Sequence, residues 1–180
     1  MVVLVTTEGE AIGTCEKLKA HEDGALHRAF SLMIARHTEN GVEYLLQKRA
    51  QDKYHSGGLW ANSCCSHPQP NEPVYAAVQR RVGEELGIAQ KLNLTSLKPI
   101  IYKAQLDSGL TEFEYDHLFL SYDPIHPFRV NSNEVSEVKW VNEKEIDLGL
   151  QSDPEKFAAW FPFVFTKIKE YQQSQSARAQ

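Results

Sequence analysis

The order of apolar and polar positions along this chain predicts a mixture of strands and helices. Short runs rich in β-branched and aromatic residues predict strands at 2–6, 26–35, 42–48, 97–104, 112–121 and 135–141. Glu39-Asn40-Gly41 separates the second run from the third and is typical of a turn, so these two strands are expected to form a hairpin.

The clearest predicted helix covers residues 73–86. Its apolar residues recur every three or four positions and form one stripe: Val74, Ala77, Val78, Val82 and Leu86. Pro73 suits the first turn, Asn71 is expected to cap the helix, and Gly87 is expected to end it.

The C-terminal segment is predicted to be mostly helical. One or two turns are expected at 143–148, an amphipathic closing helix at 154–171, and a flexible tail at 174–180. No linker divides the chain, so we predict one domain over residues 1–180, with a motif-bearing core at about 26–165. Strands mixed with few helices predict an α/β or α+β fold, in which helices cover a mixed sheet.

The composition excludes several classes of protein. A net charge of −5 argues against a general nucleic-acid binder, which carries a basic surface. The N-terminal residues do not resemble a secretory signal, and the longest apolar stretch, 157–165, is too short to span a bilayer. The three cysteines, two of them adjacent, imply no disulfide framework. We therefore expect a cytoplasmic protein, a monomer or weak dimer, with neither a nucleic-acid nor a membrane partner.

Three carboxylates share one face of the strand predicted at 112–121. Strand alternation places Glu112, Glu114 and Asp116 on the same side. Clustered carboxylates repel one another unless a cation or a proton lies between them. A solvent-exposed edge strand is the alternative, but Leu118 and Leu120 continue the same face, which places part of it inside the protein. Metal binding is therefore the favoured interpretation.

Three histidines lie in two further segments that suit a metal site. His21 and His27 flank a predicted loop that leads into a strand, and His67 follows Cys65 in a Ser/Cys-rich loop at 62–68. Imidazole and carboxylate ligands together suit Mn²⁺, Zn²⁺ or Mg²⁺. Each residue alone is more often structural, and Cys65 alone is more often a small buried apolar residue. Their coincidence with the acidic strand predicts one metal site, beside which the Cys65 thiol would lose its proton more easily.

Several basic residues and one aromatic residue are further candidates. Lys17, Arg49 and Lys53 lie near the predicted metal segments and can bind a phosphate group, although isolated surface cations are the simpler reading. Trp160 belongs to an aromatic stretch that usually forms core. Over a desolvated cation, its ring would contribute about 2 kcal/mol.

Glu72 and the segment Arg80-Arg81-Val82-Gly83-Glu84-Glu85-Leu86-Gly87-Ile88 resemble the Nudix box, G-x5-E-x7-R-E-U-x-E-E-x-G-U. In that motif the helix acids hold Mg²⁺ against a diphosphate. Ser66 replaces the first glycine here and Arg81 replaces an acid, which weighs against diphosphate hydrolysis while the fold is retained. Arg81 can instead contact a diphosphate oxygen. A solvated helix face with intrahelical ion pairs is the alternative.

The chain as a whole resembles the type I isopentenyl-diphosphate delta-isomerases, which have the Nudix fold. Four segments carry the resemblance: Leu26-His27-Arg28-Ala29-Phe30-Ser31, Trp60-Ala61-Asn62-Ser63-Cys64-Cys65-Ser66-His67-Pro68, Glu112-Phe113-Glu114-Tyr115-Asp116-His117 and Pro154-Glu155-Lys156-Phe157. The resemblance implies conversion of isopentenyl diphosphate to dimethylallyl diphosphate, a 1,3-allylic proton shift through a tertiary carbocation in isoprenoid synthesis.

The resemblance also implies a role for each matching residue. One Mn²⁺ or Zn²⁺ would be held by three histidines and two glutamates: His21, His27, His67, Glu112 and Glu114. Cys65 and Glu114 would be the acid/base pair, and Tyr102 would hydrogen-bond the carboxylate. Glu85 and the Cys65 carbonyl would support a Mg²⁺ on the diphosphate. Four cations would bind that diphosphate: Lys17, Arg49, Lys53 and Arg81.

The chemistry of an alkene explains this set of residues. Protonation of an unactivated alkene needs a strong acid within hydrogen-bond reach, and the resulting cation must be shielded from water. The resemblance places Trp160 beside that cation. The sequence leaves open whether Cys65 or Glu114 gives the first proton. Two other functions stay open on the residues alone, a Nudix-type diphosphate hydrolase and a metal-binding module without activity.

Overall fold

The computed structural model describes residues 1–106, 109–126 and 128–178. Its strands are β1 (Val2–Val5), β2 (Ala11–Cys15), β3 (His27–Thr38), β4 (Gly41–Arg49), β5 (Trp60–Ala61), β6 (Cys64–Ser66), β7 (Thr95–Ser96), β8 (Ile100–Gln105), β9 (Thr111–Ser121) and β10 (Val135–Asn142). Its helices are α1 (Lys17–Asp23), α2 (Val74–Leu86), α3 (Glu143–Ser152) and α4 (Phe161–Arg178), with a 3₁₀ turn at Pro154–Lys156. None of these helices is long and apolar enough to cross a membrane.

All the strands belong to one mixed sheet built around β3. Residues 27–34 of β3 pair in parallel with β9, and residues 34–38 form the predicted antiparallel hairpin with β4. The parallel register places His27 beside Glu114. β6 pairs with β3 and β8 pairs with β9, so both lie directly beside these two strands. The residues of the predicted site therefore lie on strands that are direct neighbours.

The sheet is covered on both faces, which confirms the predicted fold class. Alternate residues of β3 enter two cores: Met33 and Ala35 pack with α4, whereas Leu32 and Ile34 pack with α2. Such alternation is the normal consequence of the two-residue strand period. At about 25 cal/mol per Å² of buried apolar surface, these two cores are the main stabilising contribution to the fold.

The predicted helix at 73–86 is confirmed as α2, but its cap is different. Pro73 occupies the N-cap position without a side-chain hydrogen bond, so the expected cap by Asn71 is wrong. Asn71 instead has a φ of 66° in the preceding turn, a left-handed conformation that asparagine tolerates better than most residues. Gly87 ends the helix at a φ of 68°, as expected. A Cβ at this position would lie 2.3 Å from the carbonyl oxygen of Arg129, so only glycine fits.

The C-terminal segment differs from the prediction in three places. α3 continues to Ser152, beyond the predicted 148. The predicted closing helix is divided, because residue 157 is extended and Ala158 donates its backbone N–H to the carbonyl of Trp60 at 2.8 Å. α4 then begins at Phe161, where Pro162 suits the first turn. α4 continues to Arg178 and so includes most of the predicted tail, because neither glycine nor proline follows Pro162 to end it. Residues 179–180 lie outside the described residues.

The strand predicted at 97–104 begins only at Ile100, since Pro99 precedes it and cannot donate to the sheet. Two N-terminal elements were not predicted. β2 pairs with β1, and α1 occupies the expected loop before His27. Glu16 caps α1 by accepting from the backbone N–H of Lys19 at 2.8 Å.

Candidate active site

The acidic strand β9 lies inside the sheet, and its carboxylates are buried. Glu112 and Glu114 are 4% and 5% exposed, and Asp116 is fully buried, so the alternative of a solvent-exposed edge strand is wrong. Tyr102 stands opposite Glu114 on β8 and donates its hydroxyl hydrogen to Glu114 Oε2 at 2.5 Å. Ser31 donates to Asp116 at 2.8 Å. Neighbouring strands thus fix the carboxylates by register and by hydrogen bonds.

The three predicted histidines converge on Glu114. His27 opens β3, His21 lies on α1, and His67 follows β6. The donor atoms of these three rings and of Glu114 all lie within 4.8 Å of one another. His67 Nε2 is 2.9 Å from Glu114 Oε1 and 3.2 Å from His27 Nε2. We call these three histidines, with Glu112 and Glu114, the histidine–carboxylate cluster.

Backbone carbonyls orient two of these rings. Nδ1 of His21 lies 2.8 Å from the Lys17 carbonyl, and Nδ1 of His27 lies 2.8 Å from the Ala25 carbonyl. Because a carbonyl only accepts, each Nδ1 carries the hydrogen and donates it. Each Nε2 therefore presents a lone pair to the cluster, an arrangement typical of metal-binding histidines.

Burial sets the charge states of the histidine–carboxylate cluster. It lowers the pKa of His67 to about 3 and lowers the pKa of His21, so that both rings are neutral at pH 7. Burial also raises the pKa of Glu112 well above its usual range, and the neighbouring charge of Glu114 adds to that effect. Burial opposes ionisation of Glu114, but the adjacent imidazoles of His27 and His67, the latter within hydrogen-bond distance, outweigh it and hold its pKa well below the ordinary value.

The donor set fits a divalent cation. Glu112 Oε2 is buried and has no hydrogen-bond partner among the described residues. The Nε2 lone pairs of His21 and His27 lie close to the ionised carboxylate of Glu114, and a cation among these electron-pair donors relieves their mutual repulsion. Nitrogen and oxygen donors in this mixture suit a divalent metal ion. His55, which was not predicted as a site residue, forms an overlapping group of possible ligands with His21 and Glu112.

The cluster opens into a cavity of about 50 Å³. Cys65, Tyr102, Trp160 and Glu85 also line it, together with four cationic side chains that we call the cation cluster: Lys17, Arg49, Lys53 and Arg81. Burial lowers the pKa of Lys17, and the charges of Lys53 and Arg49 lower it further. Four like charges around one small cavity favour the binding of an anion.

Cys65 and Trp160 are held at this cavity by separate contacts. Cys65 lies on β6, and burial raises the pKa of its thiol well above the ordinary value, so the thiol keeps its proton. All three cysteines of the chain are free. Trp160 donates its indole N–H to Asn62 Oδ1 at 3.1 Å, and the Asn62 amide donates to the Cys64 carbonyl at 2.9 Å. One buried asparagine thus links the indole to the cysteine loop.

The predicted helix acids and Arg81 form ion pairs at the end of α2. Arg81 pairs with Glu85 at 2.7 Å and with Glu84 at 2.6 Å. Glu85 is buried and also accepts from the amide of Gln47 at 3.2 Å. The expected intrahelical ion pairs therefore exist, but Arg81 and Glu85 also face the cavity, so this part of the helix is not simply a solvated face.

The structure brings every predicted site residue to one place and adds three that the sequence did not indicate. Tyr54 and His55 line the cavity, and the Lys17 ammonium lies 4.7 Å from the centre of the Tyr54 ring. Glu134 pairs with Lys53 and with Arg81. The i, i+4 spacing of Lys17 and His21 could have indicated the helix α1, because residues at this spacing share one helix face. Tyr54 and His55 lie in a Gly/Ser-rich loop without periodicity.

Comparisons with known proteins agree with this geometry. Residues 25–161 match the family model described as NUDIX domain. A protein of Aliivibrio fischeri (strain MJ11) named Isopentenyl-diphosphate Delta-isomerase is 48% identical over 169 residues, covering 93% of each chain. A protein of the same name from Photobacterium profundum is 45% identical over 167 residues, again covering 93% of each chain.

A solved structure supports the fold independently. The MutT protein from Methanosarcina mazei Go1 superposes with a TM-score of 0.62 at 18% identity, covering 82% of this chain and 95% of that one. Such a distant match establishes the fold alone, whereas the sequence matches extend over nearly the full length of both chains. This chain contains a NUDIX domain and belongs to the isopentenyl-diphosphate Delta-isomerase family.

Proposed function

We propose that this protein converts isopentenyl diphosphate to dimethylallyl diphosphate by a 1,3-allylic proton shift. The observation that carries the proposal is that Cys65 and Glu114 line the same small cavity as the cation cluster. One molecule can therefore be held by its diphosphate while its alkene lies between a thiol and a carboxylate. Membership of the isomerase family supports the same reaction.

The cation cluster binds the diphosphate. Arginine offers a planar fork of donors to phosphate oxygens, and lysine offers a compact point charge. Arg49 is held by a hydrogen bond from Nη2 to the His55 carbonyl at 3.2 Å. Glu85, with the Cys65 backbone carbonyl, is proposed to hold a Mg²⁺ that accompanies the diphosphate, because hard oxygen donors suit that ion.

The histidine–carboxylate cluster is proposed to hold a second divalent ion, Mn²⁺ or Zn²⁺. When bound, such an ion supplies positive charge that lowers the pKa of nearby groups. His21 and His27 would bind through their Nε2 lone pairs, since their Nδ1 atoms donate to backbone carbonyls. Glu112 would contribute the carboxylate oxygen that has no other partner among the described residues.

Cys65 and Glu114 exchange protons with the substrate. One of the pair gives a proton to the terminal alkene carbon, and the electrons of the double bond form the new C–H bond. The positive charge then lies on the tertiary carbon. The other residue removes a proton from the methylene next to that carbon, and the electron pair of the broken C–H bond forms the new double bond. In the substrate-free protein the thiol is protonated and the carboxylate is ionised, so the pair begins with one donor and one acceptor. Tyr102 holds the carboxylate in place through its 2.5 Å hydrogen bond.

Trp160 shields the tertiary cation. Its ring is 2% exposed and is fixed by Asn62, so it presents an apolar surface that excludes water from the cavity. The cavity is smaller than ordinary ligand pockets of roughly 300–1,000 Å³, so side chains at its mouth must move when a substrate enters. Tyr54, 39% exposed and in contact with Lys17, is placed to make that movement.

We further propose that the protein works in a reducing cytoplasm, which keeps the Cys65 thiol free, and as a monomer or weak dimer. Neither a nucleic acid nor a membrane is proposed as a partner, because the reaction needs only its small-molecule substrate.

The test is phosphorus and proton NMR of isopentenyl diphosphate incubated with the protein, Mg²⁺ and Mn²⁺. We expect the methyl signals of dimethylallyl diphosphate to appear while the diphosphate signals stay intact. A diphosphate hydrolase would release phosphate, and a metal-binding module would give no product. Either of these results would refute the proposed isomerase activity.

A further inference from the structure

Glu134 contacts two members of the cation cluster without lining the cavity. Its Oε2 atom accepts a hydrogen bond from the Lys53 ammonium and lies 3.2 Å from Arg81 Nη2. Lys53 and Arg81 both line the cavity, whereas Glu134 is not among the residues around it. One carboxylate oxygen therefore bridges the two cations without itself lining the cavity.

The backbone around Glu134 joins the two segments that carry these cations. The Glu134 carbonyl accepts from the N–H of Ala50 at 2.9 Å, next to Arg49 and close to Lys53. At the other end of the same turn, the Asn131 N–H donates to the carbonyl of Glu85 on α2 at 2.9 Å, and the Glu134 N–H donates to the Asn131 carbonyl. The turn at 131–134 thus fixes the carboxylate relative to both segments.

The charges of the three side chains favour this bridge. Lys53 and Arg81 carry like charges on long, flexible side chains and repel each other. Glu84 and Glu85 pair with Arg81, whereas Glu134 contacts both cations and so offsets their repulsion. Partial burial works against ionisation of Glu134, but the hydrogen bond and charge of Lys53 and the charge of Arg81 hold its pKa below the ordinary value. The bridging group is therefore an anion at pH 7.

We infer that Glu134 is a positioning residue that holds Lys53 and Arg81 in the arrangement that binds the substrate diphosphate. The inference rests on the proposed function for the identity of the substrate. It assigns Glu134 no contact with the substrate itself, because the carboxylate acts through the two cations.

The sign of the effect distinguishes positioning from simple electrostatics. Removing a negative charge beside an anion site should strengthen binding if only the long-range field matters. If Glu134 positions the cations, its removal should weaken binding, because the substrate must then order both side chains. The two interpretations predict opposite changes in the same measurement.

The test is calorimetric titration of the parent, Glu134→Gln and Glu134→Ala with inorganic diphosphate and Mg²⁺, together with kinetics on isopentenyl diphosphate. We expect Glu134→Ala to bind diphosphate roughly tenfold more weakly and to raise KM by a similar factor, with kcat within about twofold of the parent. Glu134→Gln keeps the volume and an acceptor oxygen, so its effect should be intermediate. The matched control is Glu137→Gln, which removes an exposed carboxylate from β10 and should behave as the parent.

A double-mutant cycle separates positioning from general damage. In a Lys53→Ala background, Glu134→Ala should weaken diphosphate binding less than it does in the parent, because one of the two cations that Glu134 positions is already absent. Tighter or unchanged diphosphate binding by Glu134→Ala and Glu134→Gln would overturn the inference, as would an undiminished effect in the Lys53→Ala background. A parent that binds diphosphate but gives no dimethylallyl product would refute the proposed function instead, and the titration would still decide the role of Glu134.

Discussion

The two sides of the cavity are built in different ways. The histidine–carboxylate cluster is fixed by the backbone: His27 and Glu114 are register partners on adjacent parallel strands, and Tyr102 is the register partner of Glu114 on the other side. The cation cluster is held by side chains, through the ion pairs of Lys53 and Arg81 with Glu134 and of Arg81 with Glu85. The side proposed to transfer protons is thus held by backbone register, and the side proposed to bind the diphosphate is held by side chains that can adjust.

This difference predicts that substitutions on the two sides change different kinetic constants. Groups that act only at the reacting carbons should change kcat, and groups that hold the diphosphate should change mainly KM. The proton-transfer side needs accurate placement, because proton transfer requires groups within hydrogen-bond reach. Anion binding depends on summed charge and is less sensitive to the position of any one group.

The largest expected effect is at Cys65 and Glu114. Because general acid or base catalysis contributes about 10²–10⁴-fold, Cys65→Ala and Glu114→Gln should each reduce kcat by roughly 10³-fold or more. The assay is dimethylallyl diphosphate formation by NMR, with circular dichroism to confirm folding. Cys15→Ala is the matched control, since this half-buried thiol lies on β2 and does not line the cavity. Parent-like turnover by either variant would remove that residue from the mechanism.

Next in size is the loss of metal affinity from the histidine–carboxylate cluster. Loss of a residue that only hydrogen-bonds a metal ligand weakens metal binding by roughly 10–100-fold. His67→Ala removes a proposed ligand itself, so the Kd for Mn²⁺ should rise by at least that factor. Electron paramagnetic resonance of free Mn²⁺ measures this without any substrate. His37→Ala, an exposed histidine that stacks on Tyr122, serves as the control and should bind as the parent does. Equal affinities in the two variants would contradict the metal assignment.

A smaller effect is expected from Tyr102→Phe. The change deletes only the hydroxyl that donates to Glu114 at 2.5 Å, and a hydrogen bond to a charged group contributes about 1.5–3 kcal/mol. We expect kcat to fall by about 10–100-fold with KM nearly unchanged. Tyr75→Phe is the control: it removes a hydroxyl that donates to the Leu92 carbonyl at 2.9 Å and does not line the cavity, so kcat should be unaltered. A rise in KM alone for Tyr102→Phe would place this tyrosine on the diphosphate side.

The smallest effect concerns His55, which touches both sides: its ring stacks on His21 and its carbonyl accepts from Arg49. Burial and the charge of Arg49 lower its pKa to about 2, so between pH 6.5 and 2 the unfolded chain binds a proton that the folded protein does not. Stability should fall as pH falls below 6.5, by about 1.4 kcal/mol per pH unit from this residue. Urea unfolding of metal-free protein at pH 7.5 and 5.5 measures the loss, which should be smaller in His55→Gln than in His37→Gln.

Much of the fold and of the site could be predicted from the sequence because the strands carry strong local patterns. The alternation over residues 112–121 placed Glu112, Glu114 and Asp116 on one face, and the structure places that face in the interior. The predicted closing helix begins and ends seven residues too early. The apolar spacing continues across residues 154–161, whereas the pairing of this segment with Trp60 is a tertiary contact that periodicity cannot reveal. Glu134 was missed for the same reason, since its partners lie 81 and 53 positions earlier in the chain.

The central claim is that the proton added to the substrate comes from an exchangeable side chain of this cavity. The most direct test is the reaction of isopentenyl diphosphate in D₂O, followed by proton and deuterium NMR of the product. Because thiol and carboxyl hydrogens exchange with solvent, the account predicts dimethylallyl diphosphate with deuterium in the newly formed methyl group for the parent and no such product for Cys65→Ala. Product without deuterium, or equal labelling by Cys65→Ala, would contradict it.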